Sequence, residues 1–164
     1  MRKMEIEMLT IERQSNTPIV VLKDPESDTL LQICIGIMEA TAIATECEKI
    51  RFPRPMTHDL IKNLLQHLGA RVDWVEISDI RDNTFYAFVH MNVDGKKTKI
   101  DARPSDAIAI ALRMKAPIYV SETVLNKSKG LETGAKEEIV EEEAKKWTEV
   151  LESFSSDDFG KYKM

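Results

Sequence analysis

The sequence predicts an α+β fold in a single domain, on three observations. Segments that alternate apolar and polar residues are joined by hairpin-type turns. Three short stretches switch instead to a helical period, and 164 residues supply one core but not two full domains. With 43% hydrophobic and 31% charged residues, and only six glycines and six prolines, the chain is neither collagenous, low-complexity nor fully disordered.

Each element has its own reason. Residues 4–13 alternate, with Met4, Ile6, Met8 and Thr10 on one face and Glu5 and Glu7 on the other. Ser15-Asn16-Thr17-Pro18 is turn chemistry, residues 19–22 are a short apolar strand, and the loop at 24–28 leads into a third strand at 30–37. After Gly36, Ala40, Ile43, Ala44, Cys47 and Ile50 recur at helical spacing, predicting a helix over 38–50. Phe52-Pro53-Arg54-Pro55 must be extended. Thr57 can cap a second helix with Leu60, Ile61, Leu64, Leu65 and Leu68 as its stripe and Gly69 as its stop.

Residues 72–80 and 84–93 read as a hairpin about Asp82-Asn83, and Asp94-Gly95 as a tight turn into a strand at 97–102. Within 84–93, Phe85, Ala87, Val89 and Met91 point one way, Tyr86 and Phe88 the other. Pro104 opens a helix through Met114, Pro117 ends it, and 118–120 is a last strand. Residues 127–134 read as a loop. A final helix over 136–154 carries Val140, Ala144, Trp147, Leu151 and Phe154 as one narrow stripe.

The net charge of −5 argues against a polyanionic partner until its distribution is read. Residues 136–152 hold seven acids and three bases, and residues 153–164 two of each. Of 28 acids and 23 bases, 19 and 18 are therefore left to residues 1–135, a net of −1. Cys34 and Cys47 form no C-x-x-C pair and sit in apolar stretches, the pattern of reduced core thiols in a cytoplasmic protein. Glu5, Glu7 and Glu12 interrupt any signal-peptide core, and no apolar run approaches the ~18 residues of a membrane helix, so no membrane association is expected.

No phosphate-binding glycine loop, dinucleotide fingerprint, serine-hydrolase elbow or standard zinc pattern occurs. Asp94-Gly95-Lys96 has a nuclease-like look, but its place between two strands makes it a hairpin tip. Two helix entrances echo each other instead, Arg54-Pro55-Met56-Thr57-His58-Asp59 and Arg103-Pro104-Ser105-Asp106. Each sets an arginine, a hydroxyl and an aspartate where free backbone N–H groups and the positive end of a helix dipole converge. That arrangement can receive a phosphate, and it equally serves ordinary capping. His58 is a candidate base, because the dipole disfavours its cation, whereas His67 and His90 have unremarkable settings. Glu39, Asp59, Asp101 and Asp106 can form a carboxylate cluster for Mg2+ or Mn2+ if the three helix entrances meet; pairing with Arg54 and Arg103 is the alternative.

Ile35-Gly36 with Glu39-Ala40, Arg54-Pro55-Met56-Thr57-His58-Asp59-Leu60, Asp82-Asn83-Thr84-Phe85-Tyr86-Ala87, Ile100-Asp101-Ala102-Arg103-Pro104-Ser105-Asp106-Ala107 and Ala116-Pro117-Ile118-Tyr119-Val120 resemble the bifunctional nuclease domain family. The resemblance implies a curved, mainly antiparallel sheet packed with helices over residues 1–125, with 126–164 as a loop and acidic helix outside it. It also implies self-association and cleavage of both DNA and RNA. The function expected is a sugar-nonspecific, metal-assisted phosphodiester hydrolase. His58, Asp59, Asp101 and Asp106 would be its catalytic set, and Arg54, Thr57, Arg103 and Ser105 its phosphate-binding groups. The alternative is a noncatalytic interaction module that uses the same entrances for capping. A homo-oligomer is expected from the apolar side chains on both faces of the strand at 84–93.

Overall fold

The computed structural model describes residues 1–12 and 15–129. Their elements run β1 (Arg2–Ile11), β2 (Pro18–Lys23), β3 (Leu30–Cys34), α1 (Ile37–Cys47), α2 (Thr57–His67), β4 (Arg71–Arg81), β5 (Thr84–Val93), β6 (Lys96–Ala102), α3 (Pro104–Met114), β7 (Ile118–Val120) and α4 (Glu122–Lys129). The seven strands form one sheet in the order β3-β2-β1-β7-β4-β5-β6, antiparallel throughout except between β4 and β7. Two meanders, β1–β3 and β4–β6, are thus stitched together by the short β7, and the α+β reading holds.

The turns explain the meanders. Asp82, Asn83, Asp94 and Gly95 all have positive φ, the two-residue geometry whose twist matches that of paired strands. Asp94-Gly95 is therefore a hairpin tip, with the Gly95 N–H donating to Asn92 Oδ1 at 2.9 Å.

The core lies between one sheet face and the helices. On α3, Ala107, Ile108, Ala109 and Ala111 are completely buried, and the small alanines let the helix lie close to Val75, Ile77 and Ala87. Each Ile or Val closed off from water in this way contributes about 1.5–3 kcal/mol. α1 joins the core through Ala40, Ile43 and Ala44. Among the described residues no helix is long and apolar enough to cross a membrane.

Several expectations need correcting. α1 stops at Cys47, because Lys49 turns into the left-handed region, and Ile50 is left exposed. Cys34 and Cys47 are free and exposed, not core thiols: Cys34 points outward from edge strand β3, and Cys47 lies past the buried stripe of α1. Residues 127–129 belong to α4 rather than to a loop. This helix also crosses the boundary drawn at residue 125, with Val124, Leu125 and Ser128 buried. On β5, Ala87, Val89 and Met91 are buried and Phe85, Tyr86 and Phe88 half-buried, so the large apolar side chains most open to water are not on this strand. Three of those side chains are on α2, which buries no residue: Ile61 and Leu65 pack on the core, while Leu60, Leu64 and Leu68 face water. The helix expected over 136–154 lies outside the described residues.

Candidate functional site

Three helix entrances meet on the helical side of the sheet. Arg103, the N-cap of α3, reaches Asp106 in the first turn of its own helix, with Nε at 2.6 Å from Oδ2 and Nη2 at 3.1 Å from Oδ1. Its remaining nitrogen, Nη1, lies 2.8 Å from Glu39 Oε1 at the start of α1. Asp106 Oδ1 is also 3.0 Å from Nε2 of His58, in the first turn of α2. One guanidinium and one carboxylate thus tie together α1, α2 and α3. Gly36, the N-cap of α1, leaves room for this: a Cβ there would collide with the Glu39 carboxylate.

A second tie lies deeper. The N-cap of α2 is Met56, not Thr57, and its N–H donates to Asp59 Oδ2 at 3.0 Å. The other Asp59 oxygen accepts from Arg113 Nε at 2.7 Å. Arg113 Nη1 donates to the Ala42 and Ala109 carbonyls at 2.9 and 3.1 Å, so this side chain, only 3% exposed, joins α1, α2 and α3 from beneath.

Electrostatics follow from these contacts. Burial by itself would raise the pKa of Asp106, but hydrogen bonds from Arg103 and His58, with their charges, outweigh it and hold the carboxyl below its ordinary range. Asp59 behaves likewise: burial opposes, while the Arg113 and Met56 hydrogen bonds and the Arg113 and Lys62 charges prevail. Both side chains are therefore anionic at neutral pH.

Because α2 stands off the sheet, a cavity of about 630 Å³ opens between it, α1, α3 and the β5–β6 ladder. Its walls are mainly apolar, including Met56, Ile61, Leu65, Val89, Met91 and Ile110. Glu39, Thr57, His58, Arg103, Asp106 and Arg113 supply polar lining.

The predicted residues divide accordingly. Glu39, His58, Arg103 and Asp106 are brought together, Asp59 is held next to them by Arg113, and Thr57 lines the cavity. Asp101 contributes to the lining, but it pairs across the ladder with Phe88, so its side chain stands on the face opposite to Val89 and Ile100. Ser105 is buried outside the lining, and Arg54 is exposed without an ion pair among the described residues. Arg113 was missed, although it lies seven residues after Asp106, on the same face of α3.

The fit to a metal ion is poor. Among the described residues no three or more His, Cys, Asp and Glu side chains are grouped to hold one. Glu39 and Asp106 converge on a guanidinium, Asp59 turns to Arg113, and Asp101 points to the other sheet face. As arranged, these carboxylates do not form a metal cradle.

A family model, "Bifunctional nuclease domain", matches residues 20–132, which include every residue of this cluster. The chain belongs to the bifunctional nuclease domain family. An uncharacterized protein of Mycobacterium tuberculosis is 40% identical over 156 residues, 92% of this chain and 93% of that protein. Bifunctional nuclease 1 of Oryza sativa subsp. japonica is 29% identical over 109 residues, covering 65% of this chain and 33% of the plant protein. Bifunctional nuclease 2 of Arabidopsis thaliana is 26% identical over 110 residues, with 65% and 33% covered. This bifunctional nuclease domain thus aligns with about a third of each plant relative.

Proposed function

We propose that the chain is a phosphodiester hydrolase that cleaves DNA and RNA without strong sugar specificity, works in the cytoplasm and self-associates. The observation that carries this reading is the Asp106–His58 pair beside Arg103 at the rim of the cavity. With its proton on Nε2, His58 donates to Asp106 and keeps a lone pair on Nδ1. Nδ1 then accepts a proton from water as the water oxygen bonds to phosphorus; the bond from phosphorus to the sugar oxygen breaks, that oxygen takes a proton from solvent and leaves with the cleaved strand, and the imidazolium returns its proton to solvent. Asp106 fixes the tautomer and stabilises the imidazolium that forms.

Arg103, 65% exposed, turns part of its guanidinium from Glu39 to the phosphate as negative charge builds there. None of these groups needs a sugar hydroxyl, which is why DNA and RNA serve alike. No step runs through a metal ion. The test is cleavage of both nucleic acids by the purified chain beside its His58→Ala variant.

A second reading, a noncatalytic interaction module, is favoured by one feature. Leu60, Leu64 and Leu68 are 51%, 53% and 66% exposed along one side of α2, a surface suited to another protein. In the proposal above, the same surface serves self-association.

A further inference from the structure

The sheet face turned away from α1, α2 and α3 carries a second cluster, distinct from the helix entrances. Side chains directly opposite in an antiparallel ladder share a face. Trp74 is opposite His90, His90 is opposite Lys99, and Asn92 is opposite Lys97. Phe88 and His90 therefore stand on the outer face with Lys97 and Lys99, while Ala87, Val89 and Met91 enter the core between them. The Trp74 and His90 rings stack with centroids 4.5 Å apart, and Phe88 meets His90 edge-on at 6.4 Å. All three rings are only half-buried. Lys99 Nζ lies 4.2 Å from the centre of the Phe88 ring.

Charge adds to this face. Lys97 and Lys99, exposed on edge strand β6, have no acidic partner among the described residues, unlike Arg71, which lies on Asp73. The nearby carboxylates are Glu76, engaged by His90, and Asp101 beside Phe88.

We propose that this face binds a single strand of nucleic acid, with phosphates on Lys97 and on Lys99, whose ammonium leaves the Phe88 ring for them, and with bases stacked on the ring so freed and on the Trp74–His90 pair. Aromatic rings offer a stacking surface to any base, and unpaired lysines follow a phosphate backbone without reading sequence. A duplex keeps its bases stacked inside and gains only the charge term. The inference deepens the nuclease reading and rests on it for its purpose. Four residues, roughly 13 Å at the rise of a strand, separate Lys99 of β6 from Arg103, and β6 is the edge of the sheet, so a bound strand that rounds this edge brings its next phosphates to the His58–Asp106 cluster on the helical side.

The test uses the full chain carrying Trp147→Phe, which leaves Trp74 as the only tryptophan. Fluorescein-labelled short oligodeoxythymidine, oligouridine and a DNA duplex are titrated by anisotropy over a range of salt, with His58→Ala also present in every protein titrated so that the probes stay intact. Both single strands are expected to bind and to quench Trp74, with the duplex bound more weakly. Lys97→Gln/Lys99→Gln should reduce the slope of log affinity against log salt by about 1.4, at ~0.7 per phosphate contact. Phe88→Leu, checked for folding by circular dichroism, should weaken single-strand binding by roughly 5- to 150-fold at unchanged slope.

Unchanged affinity and slope in the surface double variant, or a duplex bound as tightly as the single strands, overturns the inference. Cleavage measured in parallel with His58 restored separates the two ideas. A parent that cleaves while the face variants bind as it does leaves the nuclease reading standing alone. A parent that binds as described but cleaves nothing leaves the binding face standing alone.

Discussion

Arg113 and Arg103 both bind first-turn aspartates, yet their substitution should have opposite consequences. Arg113 is 3% exposed, and Arg113→Leu removes one charged bond to Asp59 and two to the Ala42 and Ala109 carbonyls. Breaking a buried ion pair costs about 3–5 kcal/mol, because the surviving charge is stranded. Asp59 is 31% exposed and can recover water, which brings the expected loss to about 3 kcal/mol. For a chain of this size that is a fall in Tm of about 10 °C. Arg103 is 65% exposed, and Arg103→Leu should cost less than about 1 kcal/mol while impairing cleavage. Urea unfolding followed by circular dichroism, with cleavage assayed on the same preparations, measures both. Equal stability losses, or full activity in Arg103→Leu, would refute this division between a structural and a functional arginine.

Stability should also depend on acid. Asp59 and Asp106 have depressed folded pKa values, so their contributions are complete above the ordinary carboxyl value near 3.8 and are lost as pH falls through the folded values. Thermal melts should therefore be level down to about pH 5 and decline below about pH 4, less steeply in Asp106→Asn; an unchanged acid limb in that variant would count against the pairing. Light scattering at micromolar concentration and moderate salt should give a mass above the 18.7 kDa monomer, and Leu64→Glu should reduce it, with a monomer throughout as the contrary result. Deleting residues 136–164 leaves residues 1–135 at net −1 and should raise nucleic-acid affinity most at low salt; equal affinity in a folded truncation would deny the tail an electrostatic role.

Much of the fold was legible because its signals are local. Asp82-Asn83 and Asp94-Gly95 announce hairpins whatever the rest of the chain does, and Pro104 with Pro117 brackets α3. The place of β7 between β1 and β4 was not legible, since three residues carry no register information and their partners are distant in sequence. α4 was missed because its eight residues have only Val124 and Leu125 as buried apolar positions.

At the site, the echoing Arg-Pro entrances single out His58, Arg103 and Asp106 in the sequence, and the packing of the helices brings these three together with Glu39. Asp101 is close in sequence to Arg103, but the β5–β6 register sets it opposite Phe88 on the face away from Val89 and Ile100, whereas Arg103 lies past the end of β6 and reaches Glu39 and Asp106 from the N-cap of α3. Arg113 escaped notice because a basic residue in the last turn of a helix ordinarily needs no explanation beyond the dipole.

The central claim is that the His58–Asp106 pair activates water beside Arg103. Initial rates of cleavage of matched single-stranded DNA and RNA by the wild type, His58→Ala and Asp106→Asn, purified in parallel, test it most directly. The account predicts that both variants stay folded and lose about 10²- to 10⁴-fold in rate, by similar factors on DNA and RNA. Equal rates in all three preparations would mean that cleavage comes from elsewhere, and the assignment of this site would be wrong.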